Sequence, residues 1–318
     1  MEAIRQPKIA VVGCGYWGKN LVRNFSELNA LKYICDSNPN QAKKIASQYN
    51  AQTIEIDDLF KTLAEEEKAA FVAYVCAGDP DSHTCVEILH ALDKAGVDLI
   101  EIGVPFSDPL ADGIVNQMAA GRALEGGASV EQTLDIIREF RKNSETPIVL
   151  FTYLNPIYAY GFKKFHEDAL SAGADGILNL DLPPDEESIN NELSETNKLL
   201  NIRIIAPTTP PERISKITGT GRGFIYYISR EGVTGARTEL AEGIGEQVNL
   251  IKEHTNLPVV VGFGISTPEH SAEVAKVADG VVVGSAIVKR IAQHADTKDL
   301  CGRVYEFVKP LVDAAKSV

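Results

Sequence analysis

Glu101 sits inside the apolar run DLIEIGV (98–104), where alternation directs it to one face of a strand. A carboxylate in that setting is either paired or desolvated, and desolvation raises its proton affinity toward neutrality, as general acid/base chemistry requires. A structural ion pair within the fold is the competing reading. Eleven residues on, Asp112 lies in PLADG, which is good turn chemistry in itself. A loop folded back over the strand end would bring it opposite Glu101, giving an acid and an anionic hydrogen-bond acceptor across one pocket.

Glycines mark further candidates. The segments GVTGA (232–236), GFGIS (262–266) and GSAI (284–287) each follow a strand-like run, and the last leads into a helix, whose free N–H groups and dipole favour an anion. Each glycine alone also reads as a tight turn; together at one end of a fold they suit a phosphate. A fourth cluster opens the chain. In KIAVVGCGYWGKN (8–20), Gly13, Gly15 and Gly18 are spaced as in a dinucleotide-binding fingerprint, and Asp36 lies 18 residues past Gly18, where such units place the acid that binds ribose hydroxyls. The six histidines show no metal-ligand spacing, and five cysteines without a CxxC pair argue against a zinc site or a disulfide framework.

The elements that must hold these groups are periodic. Strand-like runs occur at 70–78, 98–104, 147–154, 176–182, 202–208, 223–229, 258–264 and 280–285, with amphipathic helices between them such as 84–96, 130–143 and 244–256. Eight strand-helix repeats over roughly 250 residues are what a (β/α)8 TIM barrel requires, and its chemistry lies at the C-terminal ends of the strands. An open doubly wound sheet is the alternative architecture. Upstream, strands at 8–13, 31–36 and 53–56 with helices at 17–29 and 39–50 form a single β-α-β-α-β half of a Rossmann sheet, whereas a dinucleotide needs both halves. The expected organisation is therefore a partial Rossmann module over 1–56 and a TIM barrel over 57–318, with DDLFKTLAEEE (57–67) as a helix leading into the barrel.

Charge follows the same division. The chain of 318 residues carries a formal net charge of −13, but residues 1–56 are net +3. So acidic a barrel argues against nucleic-acid binding. No apolar run is long enough for a membrane span and no cleavable leader is apparent, so a cytoplasmic protein is expected.

Residues from about 57 to 318 resemble the tryptophan synthase alpha chain family, through EIGVPFSDPLADG, YLNPIYAYG, SREGVTGAR and GFGIS. The resemblance implies a lyase that cleaves indole-3-glycerol phosphate to indole and glyceraldehyde 3-phosphate by a retro-aldol reaction. Glu101 would then be the general acid/base at the indole ring carbon and the hydroxyl, Asp112 the carboxylate on the indole N–H, and Tyr226 a tyrosine beside the glutamate. Gly235, Gly264, Gly284 and Ser285 would bind the phosphate, and Arg230 and Thr234 would lie on a loop that closes over substrate. The resemblance also implies an alpha2beta2 assembly with a beta chain, which would hold the pyridoxal phosphate, this chain having no cofactor; Asp108, Asn155 and Pro156 would meet that partner.

The match has departures. Ile114 follows ADG where the family commonly has proline, and Ala73, Tyr74 and Cys76 stand where proline, phenylalanine and threonine are common. The first 56 residues instead resemble the start of the glucose-fructose oxidoreductase-like dehydrogenases, through AVVGCGYWGKN and CDSNP, without that family's substrate domain. Two rival functions follow: an NAD(P)-dependent oxidoreductase that uses the N-terminal module, and a catalytically impaired barrel that activates a beta chain.

Overall fold

The computed structural model describes residues 9–12, 21–22, 25–26, 31–35, 42, 45–46, 52–53, 68–186, 188, 199–229, 237–262 and 264–318. The chain divides into two compact units, Met1–Glu67 and Lys68–Val318. The seam expected near residue 56 and the helix expected over 57–67 lie outside the described residues.

In the first unit, β1 (Ile9–Val12), β2 (Leu31–Cys35) and β3 (Gln52–Thr53) form a parallel sheet in that order. Ala10 pairs with Tyr33, and Tyr33 with Gln52. Val11 and Ile34 are buried with Val22, Ala42, Ile45 and Ala46, so one small apolar core holds the unit together. Parallel neighbours joined by crossovers give such an order. Gly13, Gly15, Gly18 and Asp36 lie outside the described residues.

The second unit is a closed parallel barrel, so the open-sheet alternative is excluded. Its strands are β4 (Ala70–Cys76), β5 (Leu99–Gly103), β6 (Ile148–Thr152), β7 (Gly176–Asn179), β8 (Leu200–Ile205), β9 (Ile225–Ile228), β10 (Val259–Gly262) and β11 (Gly280–Val283), which pair in sequence, with β11 closing onto β4. Each falls within or close to an expected run. β8 departs most, starting two residues before the expected 202 and stopping at Ile205, because Ala206 turns back with its N–H donating to Thr209 Oγ1 at 3.1 Å and Pro207 has no N–H to continue a ladder.

Register sorts the side chains. Phe71, Ala73, Ile100, Ile102, Ile148, Leu150 and Ile177 pack outward into the main core beneath the helices. The alternate residues Tyr74, Glu101 and Val149, of which Glu101 is the cross-strand partner of the other two, point inward. Helices cover the outer layer where their apolar stripe demands it. Ser82–Ala95 buries Cys85, Ile88, Leu89, Leu92 and Ala95, begins where Asp81 accepts from the Thr84 N–H at 2.9 Å, and ends at Gly96 with φ +89°. The helix expected over 244–256 runs instead over Arg237–Lys252.

At the N-terminal face one device recurs three times. Asp98, Asp175 and Asp279 each directly precede a strand and accept from a backbone N–H of the strand before it, Phe71, Ile148 and Val259 respectively, at 2.8 Å. Each also meets a cation on the outer layer: Lys316 at 2.9 Å, Arg141 at 2.7 Å and Lys252 at 2.7 Å. This end of the barrel is braced, leaving the opposite end for chemistry.

Candidate active site

Glu101 occupies the middle of β5 and is fully buried. Neither carboxyl oxygen has a hydrogen-bond partner among the described residues. Burial pushes its pKa up to about 8, so the side chain is an acid holding its proton at neutral pH. The structural ion pair that could have explained a glutamate in this run is absent from the described residues.

Two phenols share the barrel interior. Tyr74 on β4 and Tyr226 on β9 are both held well above the ordinary phenol range, first by burial and then by nearby acids including Glu101 and Asp112. Each leans across a glycine of the next strand. A Cβ on Gly103 would fall 2.3 Å from the Tyr74 hydroxyl, and one on Gly262 would fall 2.3 Å from that of Tyr226.

Asp112 reaches the same space from the turn after β5. Its N–H donates to Pro109 O at 3.1 Å, and its Oδ2 accepts from the Tyr153 hydroxyl at 2.8 Å. Tyr153, the residue directly after β6, also accepts from the Ala111 N–H at 3.0 Å, so one phenol pins the turn at two points. Burial raises the Asp112 carboxyl, while the hydrogen bonds from Tyr153 and Asn116 pull it back. Tyr153 and Asn116 are not marked by sequence as site residues. The only available signal for Tyr153 was its place at the end of an apolar run within YLNP.

The helix beyond that turn, Ile114–Glu125, is tied to the end of β4 by Arg122, which donates through Nε and Nη2 to the two oxygens of buried Asp79 at 2.9 and 2.8 Å. With Gln117 Nε2 donating to Asp112 O at 2.9 Å, the loop is held at both ends.

Next to β4 around the barrel, Gly264 follows β10 with φ +56°, and Gly284 and Ser285 follow β11, where Ser285 starts the helix Ser285–His294. The two strands pair directly, so both turns lie at adjacent strand ends. Gly235, Arg230 and Thr234 lie outside the described residues. Of the residues expected to meet a partner, Asp108 and Asn155 are exposed, and Pro156 is buried within the first turn of the helix Leu154–Tyr160.

A closed (β/α)8 barrel with a buried, proton-holding glutamate, two phenols in its interior and a second carboxylate on the turn above has the fold of a barrel enzyme and the groups that acid/base chemistry needs. The profile of the tryptophan synthase alpha chain family matches residues 60–316. The alpha chain of Opitutus terrae is 49% identical over 239 residues, covering 75% of this chain and 90% of the relative; that of Geotalea daltonii is 46% identical over 240 residues, covering 76% and 91%. The crystal structure of tryptophan synthase subunit alpha from Legionella pneumophila superposes with a TM-score of 0.76 at 36% identity, covering 82% of this chain and 97% of that one.

The chain belongs to the tryptophan synthase alpha chain family. It is a lyase acting on indole-3-glycerol phosphate in tryptophan biosynthesis, with no cofactor of its own, the pyridoxal phosphate being in the beta chain.

Proposed function

We propose that Glu101 performs both the acid and the base step of the retro-aldol cleavage, and that Asp112 stabilises the charge formed between them. Glu101, arriving protonated, delivers its proton to the indole ring carbon that carries the glycerol chain. The ring becomes a cationic indolenine, and Asp112, accepting from the indole N–H, offsets that positive charge. The Glu101 carboxylate then takes the proton of the neighbouring side-chain hydroxyl as the carbon–carbon bond breaks. The electron pair of that bond restores the aromatic ring, giving indole, and the hydroxyl-bearing carbon leaves as the aldehyde of glyceraldehyde 3-phosphate.

The observation that carries this reading is the burial of Glu101 without a hydrogen-bond partner among the described residues. Such a carboxyl is neutral, and therefore an acid, at the start of the cycle. Tyr226 lies beside it as a neutral phenol, and Gly235, Gly264, Gly284 and Ser285 would hold the phosphate through backbone N–H groups and a hydroxyl. Arg230 and Thr234 would belong to the closing loop. The test is the pH dependence of indole release. The rate is expected to fall through a single ionisation near the Glu101 value of about 8, whereas a flat profile to pH ~10, above any such carboxyl value, would remove Glu101 as the acid.

A beta chain of tryptophan synthase is the partner proposed for the active end, in an alpha2beta2 assembly. Leu110 is 93% exposed and Tyr158 71%, and with exposed Ile114 and Met118 they form apolar surface on the segments following β5 and β6, beside Asp108 and Asn155. Exposed apolar groups gathered on neighbouring loops favour a protein contact. A cytoplasmic setting fits a biosynthetic enzyme in which no described helix is long and apolar enough to cross a membrane. Residues 1–56 are read as the first half of a Rossmann sheet joined to a barrel over 57–318; the parallel order β1-β2-β3 supports this. The alpha reaction asks nothing of a nucleotide there.

A further inference from the structure

Tyr74 and Glu101 are cross-strand partners on β4 and β5, with both side chains on the inner face. The Tyr74 ring does not stop at Glu101. It runs on toward the active end, over Gly103, two residues further along β5, where any Cβ would strike the phenol. Beyond Gly103 the ring meets Phe151 of β6 edge to face, with centroids 5.1 Å apart and planes at 68°. At its root the Cβ lies against Gly284, whose own Cβ would approach to 3.3 Å. One side chain thus spans three strands through a gap that Gly103 leaves open, and it lies on the active-end side of the buried carboxyl.

We propose that Tyr74 is a positioning residue for the acid/base step: its ring, laid over Gly103 and held by Phe151, covers the β4 side of the Glu101 carboxyl and shields it from water. The inference rests on Glu101 being the acid/base. The groups recorded around Glu101 agree with it. Tyr74 from β4 and Tyr226 from β9, the two residues on which its charge acts, are neutral phenols, the further groups acting on Tyr74 (Cys76, Asp112 and Tyr153) are neutral or acidic, and burial is the cause of the raised Glu101 value. With no cation acting on it among the described residues, the proton affinity of Glu101 depends on how dry the compartment is. The ring, more than the hydroxyl, supplies that dryness.

The test reads Glu101 without using substrate. In the full chain labelled with side-chain 13C-glutamate, the Glu101 carboxyl signal is identified by its loss in Glu101→Gln and titrated. Wild type and Tyr74→Phe are expected to share a midpoint near 8. Tyr74→Leu and Tyr74→Ala, which open the ring's space, should lower it by about a unit or more, toward the ordinary carboxylate range. The alkaline limb of the indole-release profile should move with it. Unchanged midpoints in the Leu and Ala variants, or an equal fall in Tyr74→Phe, would overturn the proposal; if Tyr74→Ala does not fold, Tyr74→Leu decides. A titration that behaves as expected while indole release does not follow it would fault the catalytic reading instead.

Discussion

At the residue scale, the proposed role of Glu101 links function to stability through one proton. Its folded value of about 8 lies well above that of an exposed glutamate, so between those values the folded chain holds a proton that the unfolded chain has released. Stability from this group is complete below the unfolded value and is lost as pH rises through the folded one. Glu101→Gln removes the titration. Relative to wild type the variant is expected to gain stability steadily from pH ~4.5 to pH ~8, by up to several kcal/mol at about 1.4 kcal/mol per unit. Urea unfolding of both proteins at pH 5 and pH 8 measures this, and an equal difference at the two pH values would contradict it. Glu101 was legible in the sequence because an acid interrupts an apolar alternation. Tyr74 and Tyr153 were not legible as parts of the acid/base site. What Tyr74 does depends on a glycine of another strand, and what Tyr153 does depends on a turn 41 residues earlier.

At the element scale, all eight barrel strands were legible because parallel strands buried on both faces read as β-branched runs. Their ends were less so: β8 is set by where Pro207 and Thr209 turn the chain. The aspartate braces at the N-terminal face could not be inferred either, since a lone Asp before a strand looks like an ordinary turn residue. Their worth is testable at Asp175, which ties the Ile148 N–H to Arg141, while Arg141 also donates to Gly173 O at 2.8 Å and Thr146 O at 2.6 Å. Removing the carboxylate in Asp175→Ala leaves that N–H and the guanidinium short of an acceptor. A loss of about 1–3 kcal/mol is expected in chemical denaturation. Because the brace lies at the end opposite Glu101, the rate of indole release by the folded variant should be close to that of wild type. A fall in that rate with stability intact would show that the braces tune the site.

At the scale of the whole molecule, two compact units share one chain. The glycine fingerprint that opens it suggested nucleotide chemistry, but the family match over residues 60–316 and the buried acid assign the reaction to the barrel. The measurement that tests this most directly is indole formation from indole-3-glycerol phosphate by the full chain at neutral pH, with beta chain present, comparing wild type with Glu101→Gln. Wild type should release indole, and the variant should lose it by about 10²-fold or more, as removal of a general acid/base does. It should still bind and stimulate the beta chain. Indole release by the variant at the wild-type rate would contradict the account.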